Sequence, residues 1–560
     1  MNSFRELIKS LIEAWGSARG KTVQIDGNLL DQQAKVAYNM WRDLSGGGRL
    51  VLLKAPTASG KTEVFMSLYL YQFQTDGFHS ARMFIVEPVH ALLKQMMWRA
   101  KTYAKSFVVG VGEDHGEVTS PVYLYAAPMT LTTVDTFVYG YLAKRVETWG
   151  RGETGRYTMP TGLMMHSLNI LDEAHLIQDE VFLGPRVLAK ALCPLKEAGG
   201  LLILSTATMP TAVWQEFQRE CCRDECPVYE LPPKWRKVDI EESPRNITEG
   251  DFECDKRTLI ITNTVAKARE VYKRVVERCR ERVFLIHSLM TRRDRDEVVA
   301  KLTELDKSGE SFVLVGTQAV EVGVDFDFDV LHTELAPLDS LIQRLGRVGR
   351  RGGAAYAKVY TTLDTHLPYD EEIIEKSKSY VNQLKSALNN VGVATQLLDQ
   401  LYDAKTVERL AERGTEMFLE TIEYLSKLHL FAPPPPGPAW IRPSIYVDVY
   451  VFTSAPPPKV EEWGEYAVRL SIPQISTYDR LEKLREAARA SGCEVKKVGG
   501  EVCRESHSLS CSKGCVVICA TRELIECEDV SKLYDGTGLR LDMAAAAEGG
   551  KKKRGQRRRS

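Results

Sequence analysis

An α/β fold built on parallel sheets is predicted by three features of the 560-residue chain. Short apolar runs alternate with helical patterns from about residue 50 to 365. The runs are apolar on both faces, which suits strands covered by helices on each side. A polar stretch, PVYELPPKWRKVDIEESPRNITEG (227–250), divides the runs into two lobes.

The first lobe holds LVLLKA (50–55), RMFIVEP (82–88), LNILDEA (168–174) and LLILSTA (201–207). The second holds TLIITN (258–263), RVFLIHS (282–288), FVLVGT (312–317) and DVLHTEL (329–335). Ahead of them, MNSFRELIKSLIEAW alternates charged and apolar residues at helical spacing, which predicts an amphipathic helix rather than a signal peptide. After residue 366 the pattern turns helical through 370–429. FAPPPPGPAW (431–440) excludes a regular helix and predicts a stiff extended connector. SIYVDVYVFTS (444–454) reads as a strand and opens a small α+β domain, with a second proline run at 455–458. The expected organisation is a first lobe over 1–240 and a second over 241–365. A helical segment over 366–430, a C-terminal domain over 431–545 and a basic disordered tail over 546–560 follow.

The charges balance, 74 Lys+Arg against 75 Asp+Glu, but unevenly. The last ten residues, KKKRGQRRRS, hold seven cations; the remainder carries 67 against 75, a net of −8. A nucleic-acid surface must therefore be a local groove. The tail suits either non-specific nucleic-acid attraction or solubility. No apolar run approaches the roughly 20 residues that a membrane-spanning helix needs, so no membrane partner and a cytoplasmic location are expected.

APTASGKTE (55–63) follows a buried strand and ends in Gly60-Lys61-Thr62. A strand, a tight loop of small residues (Thr57, Ser59, Gly60) and a helix N-terminus together cradle phosphates. Lys61 supplies a point charge and Thr62 a hydroxyl for Mg²⁺. NILDEAHLI places Asp172 and Glu173 at another strand's carboxyl end, where α/β sheets bind ligands. Asp172 is assigned to Mg²⁺ through water, and Glu173 to polarising the attacking water. LSTATMP (204–210) offers small hydroxyls beside these groups.

These elements resemble the superfamily 2 helicases of the DEAH/DExH kind. The stretch GTQAVEVGVDFDFDVLHTELAPLDSLIQRLGRVGRRG (316–352) is similar to the joined motifs V and VI of the CRISPR-associated helicases of type I interference systems. IITNTVAKAREVY (260–272) and LIHSLMTRRDR (285–295) resemble that family's motif IV region, EPVHALLKQ (87–95) its motif Ia and TVDTF (133–137) its motif Ib. The resemblance spans residues 30–365. It implies two tandem RecA-like parallel-sheet domains with ATP and Mg²⁺ between the lobes. Arg347 and Arg350 would serve as arginine fingers, with Gln343, Arg344, Gly323 and Asp325 supporting nucleotide binding. Such fingers contribute about 10³–10⁵ in rate. Thr133, Thr264 and Thr317 become candidate contacts to single-stranded DNA phosphates, which position a strand without reading its sequence. The adenine-reading glutamine is Gln32 or Gln33. The family often has an arginine where this chain has Leu289, so no DNA contact is assigned there.

Many members of that family carry a nuclease domain marked by a His-Asp pair. About 50 residues precede the phosphate cradle and no His-Asp dipeptide occurs. The expectation is a stand-alone helicase subunit, without nuclease activity, served by a separate HD nuclease and a guide-RNA surveillance complex. A general DExH helicase of repair or RNA processing shares every ATPase residue and is the alternative. An inactive scaffold is disfavoured by the intact Lys61, Asp172, Glu173, Arg347 and Arg350.

Twelve cysteines are expected mostly as reduced core thiols. Cys503, His507, Cys511 and Cys515 stand at C-x₃-H-x₃-C-x₃-C. Zinc suits such ligands. Disulfides joining Cys503 to Cys511 or Cys515 are the alternative.

Overall fold

The computed structural model describes residues 1–20, 22–45, 50–56, 59–75, 77, 80–115, 125–144, 159–222, 225–233, 235–321, 326–350, 354–430, 438–473, 479–499, 503, 511 and 514–541. Most of the proline-rich connector and the whole basic tail lie outside the described residues. So do Thr57, Gly323, Asp325 and His507.

The chain forms two compact units. One comprises Met1–Lys237, Pro337–Gly346 and Glu372–Pro443; the other comprises Val238–Ala336, Arg347–Glu371 and the chain from Ser444 onward. The first is built on a seven-stranded sheet of order β3-β4-β2-β5-β6-β1-β7. Its strands are β1 (Leu50–Lys54), β2 (Arg82–Glu87), β3 (Val111–Asp114), β4 (Met129–Thr133), β5 (Ser167–Leu171), β6 (Leu201–Thr206) and β7 (Val228–Glu230). Every pairing is parallel. The central strands β1, β5 and β6 are buried almost throughout, which is why they read as unbroken apolar runs. The helix Asn2–Ala18 buries Phe4, Leu7, Ile8 and Leu11, a stripe at three- and four-residue spacing. That stripe packs into the same core as Val51, Leu53, Ile85 and Ile203.

The second unit has a six-stranded sheet of order β10-β11-β9-β12-β13-β8. Its strands are β8 (Lys237–Asn246), β9 (Arg257–Ile261), β10 (Val283–Ile286), β11 (Phe312–Gly316), β12 (Val330–Glu334) and β13 (Ala354–Thr362). The pairings β10–β11, β11–β9, β9–β12 and β12–β13 are parallel. A five-stranded antiparallel sheet follows, of order β15-β14-β17-β18-β16. It uses β14 (Ser444–Phe452), β15 (Ala467–Pro473), β16 (Glu494–Lys497), β17 (Cys515–Ile518) and β18 (Glu523–Glu526). The predicted fold class, two parallel-sheet domains, helices and a small α+β domain, is the one observed.

The terminal hairpin of β19 (Tyr534–Asp535) and β20 (Gly538–Leu539) packs on the segment after β10. The Leu539 amide donates to the Leu289 carbonyl at 2.7 Å, and Arg269 donates to the carbonyls of Thr537 and Leu539. Leu289 is buried in the core of the C-terminal domain. An arginine there would lose its water, so an apolar residue fits the position. His287 Nε2 donates to the Thr537 carbonyl at 2.9 Å while Nδ1 accepts from the Leu289 amide at 3.2 Å. A carbonyl can only accept and an amide only donate, so these partners fix one neutral tautomer. Burial, with Arg269 nearby, pushes the imidazole down to about 3. The unfolded chain then binds a proton that the native chain refuses. Stability is therefore full above about pH 6.5 and falls as pH drops toward 3. Denaturant unfolding at pH 6.5 and 5 should show the native protein losing about 2 kcal/mol more than His287→Gln. Equal losses would contradict the buried neutral imidazole.

The expectation of reduced thiols is corrected. All twelve cysteines are paired: Cys193–Cys221, Cys222–Cys226, Cys254–Cys279, Cys493–Cys527, Cys503–Cys519 and Cys511–Cys515. The three cysteines proposed for zinc are therefore bonded to sulfur rather than free as thiolates, and the pairing of Cys503 also differs from that expected. Spacing does not determine connectivity. Cys503 meets Cys519 because both pack with Trp463 in a small core that β17 and β18 line. The Cys493–Cys527 bridge closes a 34-residue separation, worth about 3–4 kcal/mol on chain-entropy grounds. Without reductant, thermal unfolding should show that loss in Cys493→Ser relative to the native chain, and reductant should lower the variant further through the Cys503–Cys519 and Cys511–Cys515 bridges that remain.

Candidate nucleotide site

β1 leads through a short loop into the helix Lys61–Leu70. Gly60 caps that helix with φ 81°, a left-handed conformation that a side chain would strain. A Cβ there would also collide with the Gln33 amide. Gln33 is buried and donates to the Ser59 carbonyl at 2.7 Å, whereas Gln32 is exposed and bonds Asn28. Of the two glutamines left open by the sequence, Gln33 therefore touches the phosphate loop.

The Lys61 ammonium sits 2.9 Å from Asp172 Oδ1 and also pairs with Glu173 Oε1. Asp172 follows β5, and its amide donates to the Val86 carbonyl of β2 at 3.0 Å. Glu173 adopts φ 48°, the left-handed region, at the start of the turn Ala174–Ile177. Burial alone would lower the Lys61 ammonium; Asp172 and Glu173 outweigh it and hold the group above its ordinary range. Burial and the neighbouring Glu173 raise Asp172, with Lys61 opposing.

A third carboxyl, Glu87, ends β2 beside them. Burial raises it well above the usual carboxylate range, and Asp172 adds to the shift. Sequence reasoning passed over this residue. The signal was present, since RMFIVEP ends an apolar run in an acid just as LNILDEA does. Arg99 is close to Glu87 but is paired with Glu63, which also accepts from the Tyr103 hydroxyl. Asp172 and Glu173 thus share one ammonium. That surplus of negative charge matches a divalent cation. Among the described residues no group of three or more His, Cys, Asp or Glu side chains forms a metal cage. Mg²⁺ is ordinarily held by one or two carboxylates, water and phosphate, so the residues fit it. Thr62, buried at the first turn of the helix, and Asp172 are the ones that would hold it.

His175 links this strand end to the next. Thr206 donates to the Thr208 carbonyl at 2.7 Å, so it accepts from His175 Nδ1 at 2.9 Å. Burial lowers this imidazole to about 4, leaving it neutral. The LSTATMP segment is therefore wired directly to the acidic turn. Thr208 also lines a small pocket with Pro56, Arg236, Gln343 and Gly346. Gln343 and the wholly buried Arg344 lie in the helix Leu338–Leu345, within the first unit. Arg236 donates to the Gly346 carbonyl at 2.7 Å and was not foreseen.

Arg347 and Arg350 belong to the second unit. Arg347 is buried and donates to the Glu321 carbonyl, while the Arg350 amide donates to Asp327 Oδ1 at 2.7 Å. Thr133, Thr264 and Thr317 each precede a helical turn after a parallel strand. Thr133 caps its helix by accepting from the Thr136 amide at 3.2 Å, and Thr264 accepts from Lys267 at the same distance. Thr264 and Thr317 follow β9 and β11, which are paired, so the structure brings these two to one edge.

Residues 32–217 match the DEAD/DEAH box helicase family, and residues 254–353 match the C-terminal region of the CRISPR-associated nuclease/helicase Cas3. The CRISPR-associated helicase Cas3 of Thermoproteus tenax is 36% identical over 581 aligned positions, covering 99% of this chain and 98% of that one. The CRISPR-associated nuclease/helicase Cas3 of Methanothermobacter thermautotrophicus is 22% identical over 68% of this chain, but only 49% of that protein is covered. The crystal structure of T. fusca Cas3 with AMPPNP shares the fold, with a TM-score of 0.59 at 16% identity over 82% of this chain and 65% of that chain. With 36% identity sustained over nearly its whole length, the chain belongs to the family of CRISPR-associated Cas3 helicases.

Proposed function

We propose that the chain is an ATP-driven translocase of single-stranded DNA that unwinds target DNA in CRISPR interference. The observation that carries this reading is Lys61, held between Asp172 and Glu173 where two parallel strands end, two carboxylates to one ammonium. Lys61 exchanges its carboxylate partners for the phosphates of ATP. Glu173, released from Lys61, accepts a proton from the attacking water. Mg²⁺, when bound, neutralises charge on the phosphates. His175 and Thr206 hold the acidic turn against the adjoining strand end, so a change at Glu173 reaches Thr208. Arg347 and Arg350 are proposed to stabilise the transferring phosphoryl group.

Thr133, Thr264 and Thr317 are proposed to take DNA phosphates, using amides at helix starts. The finer role includes a separate HD nuclease and a guide-RNA surveillance complex, which supplies sequence recognition by base pairing. A DNA duplex with a 3′ single-stranded overhang tests the reading. ATP-dependent strand displacement without cleavage is expected. Displacement of RNA duplexes alone, or metal-dependent cutting by the pure chain, would contradict it.

A further inference from the structure

We propose that Glu87 is a positioning residue of the nucleotide site: its carboxyl accepts hydrogen bonds from the water shell of the magnesium ion held by Asp172. The inference rests on the nucleotide reading of the Lys61 site.

Glu87 ends β2, and Val86 before it is paired with Leu171 of β5. The Val86 carbonyl accepts from the Asp172 amide, so Glu87 and Asp172 stand side by side one position beyond that pair. On its other flank Glu87 is paired with Thr133 of β4. The side chain is fully buried, and neither oxygen has a hydrogen-bond partner. Among the described residues it is the one buried carboxyl of which this holds for both oxygens.

Stability does not account for an acid at this position. Met83, Phe84, Ile85 and Val86 of the same strand are all buried and apolar. A buried carboxyl without a partner is destabilising compared with an apolar side chain of similar volume. The nearby cations are already engaged, Lys61 with Asp172 and Glu173, and Arg99 with Glu63. Mg²⁺ keeps several of its waters, whose O–H groups need acceptors just outside the metal's own ligands. A buried acceptor beside Asp172, with two oxygens to offer, supplies them. Such outer carboxylates typically alter metal affinity by about 10–100-fold.

The test uses the full-length chain, a fluorescent non-hydrolysable ATP analogue and titration with Mg²⁺. Glu87→Gln should raise the Mg²⁺ concentration for half-maximal analogue binding about tenfold. Binding in EDTA should stay within about twofold of the native chain, and the melting temperature without nucleotide should hold or rise. Glu87→Asp should recover part of the Mg²⁺ dependence. An unchanged Mg²⁺ dependence in Glu87→Gln would overturn the proposal. So would an equal loss of binding in EDTA, which would place Glu87 on the nucleotide or Lys61 instead. A lower melting temperature in both Glu87→Gln and Glu87→Leu would show a structural role and overturn it too. Native binding that ignores both Mg²⁺ and Lys61→Ala would overturn the nucleotide reading itself, a result separate from all of these.

Discussion

Lys61→Ala reduces ATP hydrolysis to the background rate and also lowers the melting temperature of the nucleotide-free protein. The first effect follows from losing the cation that the phosphates require. The second follows from the packing around it. Asp172 and Glu173 are largely buried and share this one ammonium. Removing one partner of a buried pair leaves an uncompensated charge, at about 3–5 kcal/mol. Stability and activity therefore fall together in the single variant, and a second substitution separates them. Lys61→Ala with Asp172→Asn should recover much of the melting temperature and none of the hydrolysis. Turnover near the native rate in Lys61→Ala would refute the site. A melting temperature unmoved by Lys61→Ala would refute the ion pairing.

Glu173→Gln should leave nucleotide binding within a few-fold of native while turnover falls about 10²–10⁴-fold, the range for a positioned general base. The amide keeps the shape of the carboxylate but cannot take a proton from water. The fold should tolerate it. Glu173 adds to the burden on Asp172 and Glu87 as a like charge, so its neutralisation relieves both. Lys61 keeps Asp172 as a partner at 2.9 Å. Turnover within about tenfold of native would move the proton acceptor elsewhere.

The parallel strands were legible because burial on both faces leaves an apolar run with no polar alternation, as in LVLLK and LNIL. Gly60, Lys61 and Asp172 were legible because a phosphate cradle imposes residue types at fixed places along one short segment. Features created by distant contacts were not legible. Gln32 and Gln33 are adjacent in sequence, and only the packing of their helix against the phosphate loop separates them. Glu87 reads as the start of a motif until β2 is seen beside β5. The disulfides join cysteines up to 34 residues apart, in pairings set by which cores they enter. Leu289 read as a departure until the β19–β20 hairpin was seen to bury it. Helix Leu338–Leu345 was grouped by sequence with the arginines that follow it. Its own contacts run to the helices Leu384–Asn389 and Val391–Leu401 of the first unit.

Steady-state hydrolysis by the purified chain shows whether the motor couples ATP to single-stranded DNA. Rates would be measured with no nucleic acid, with single-stranded DNA and with RNA of the same sequence, in the native chain and Lys61→Ala. Low hydrolysis alone, clear stimulation by the DNA strand, little by RNA, and none in the variant are expected. Hydrolysis that ignores DNA, responds equally to RNA alone, or survives Lys61→Ala would contradict that coupling.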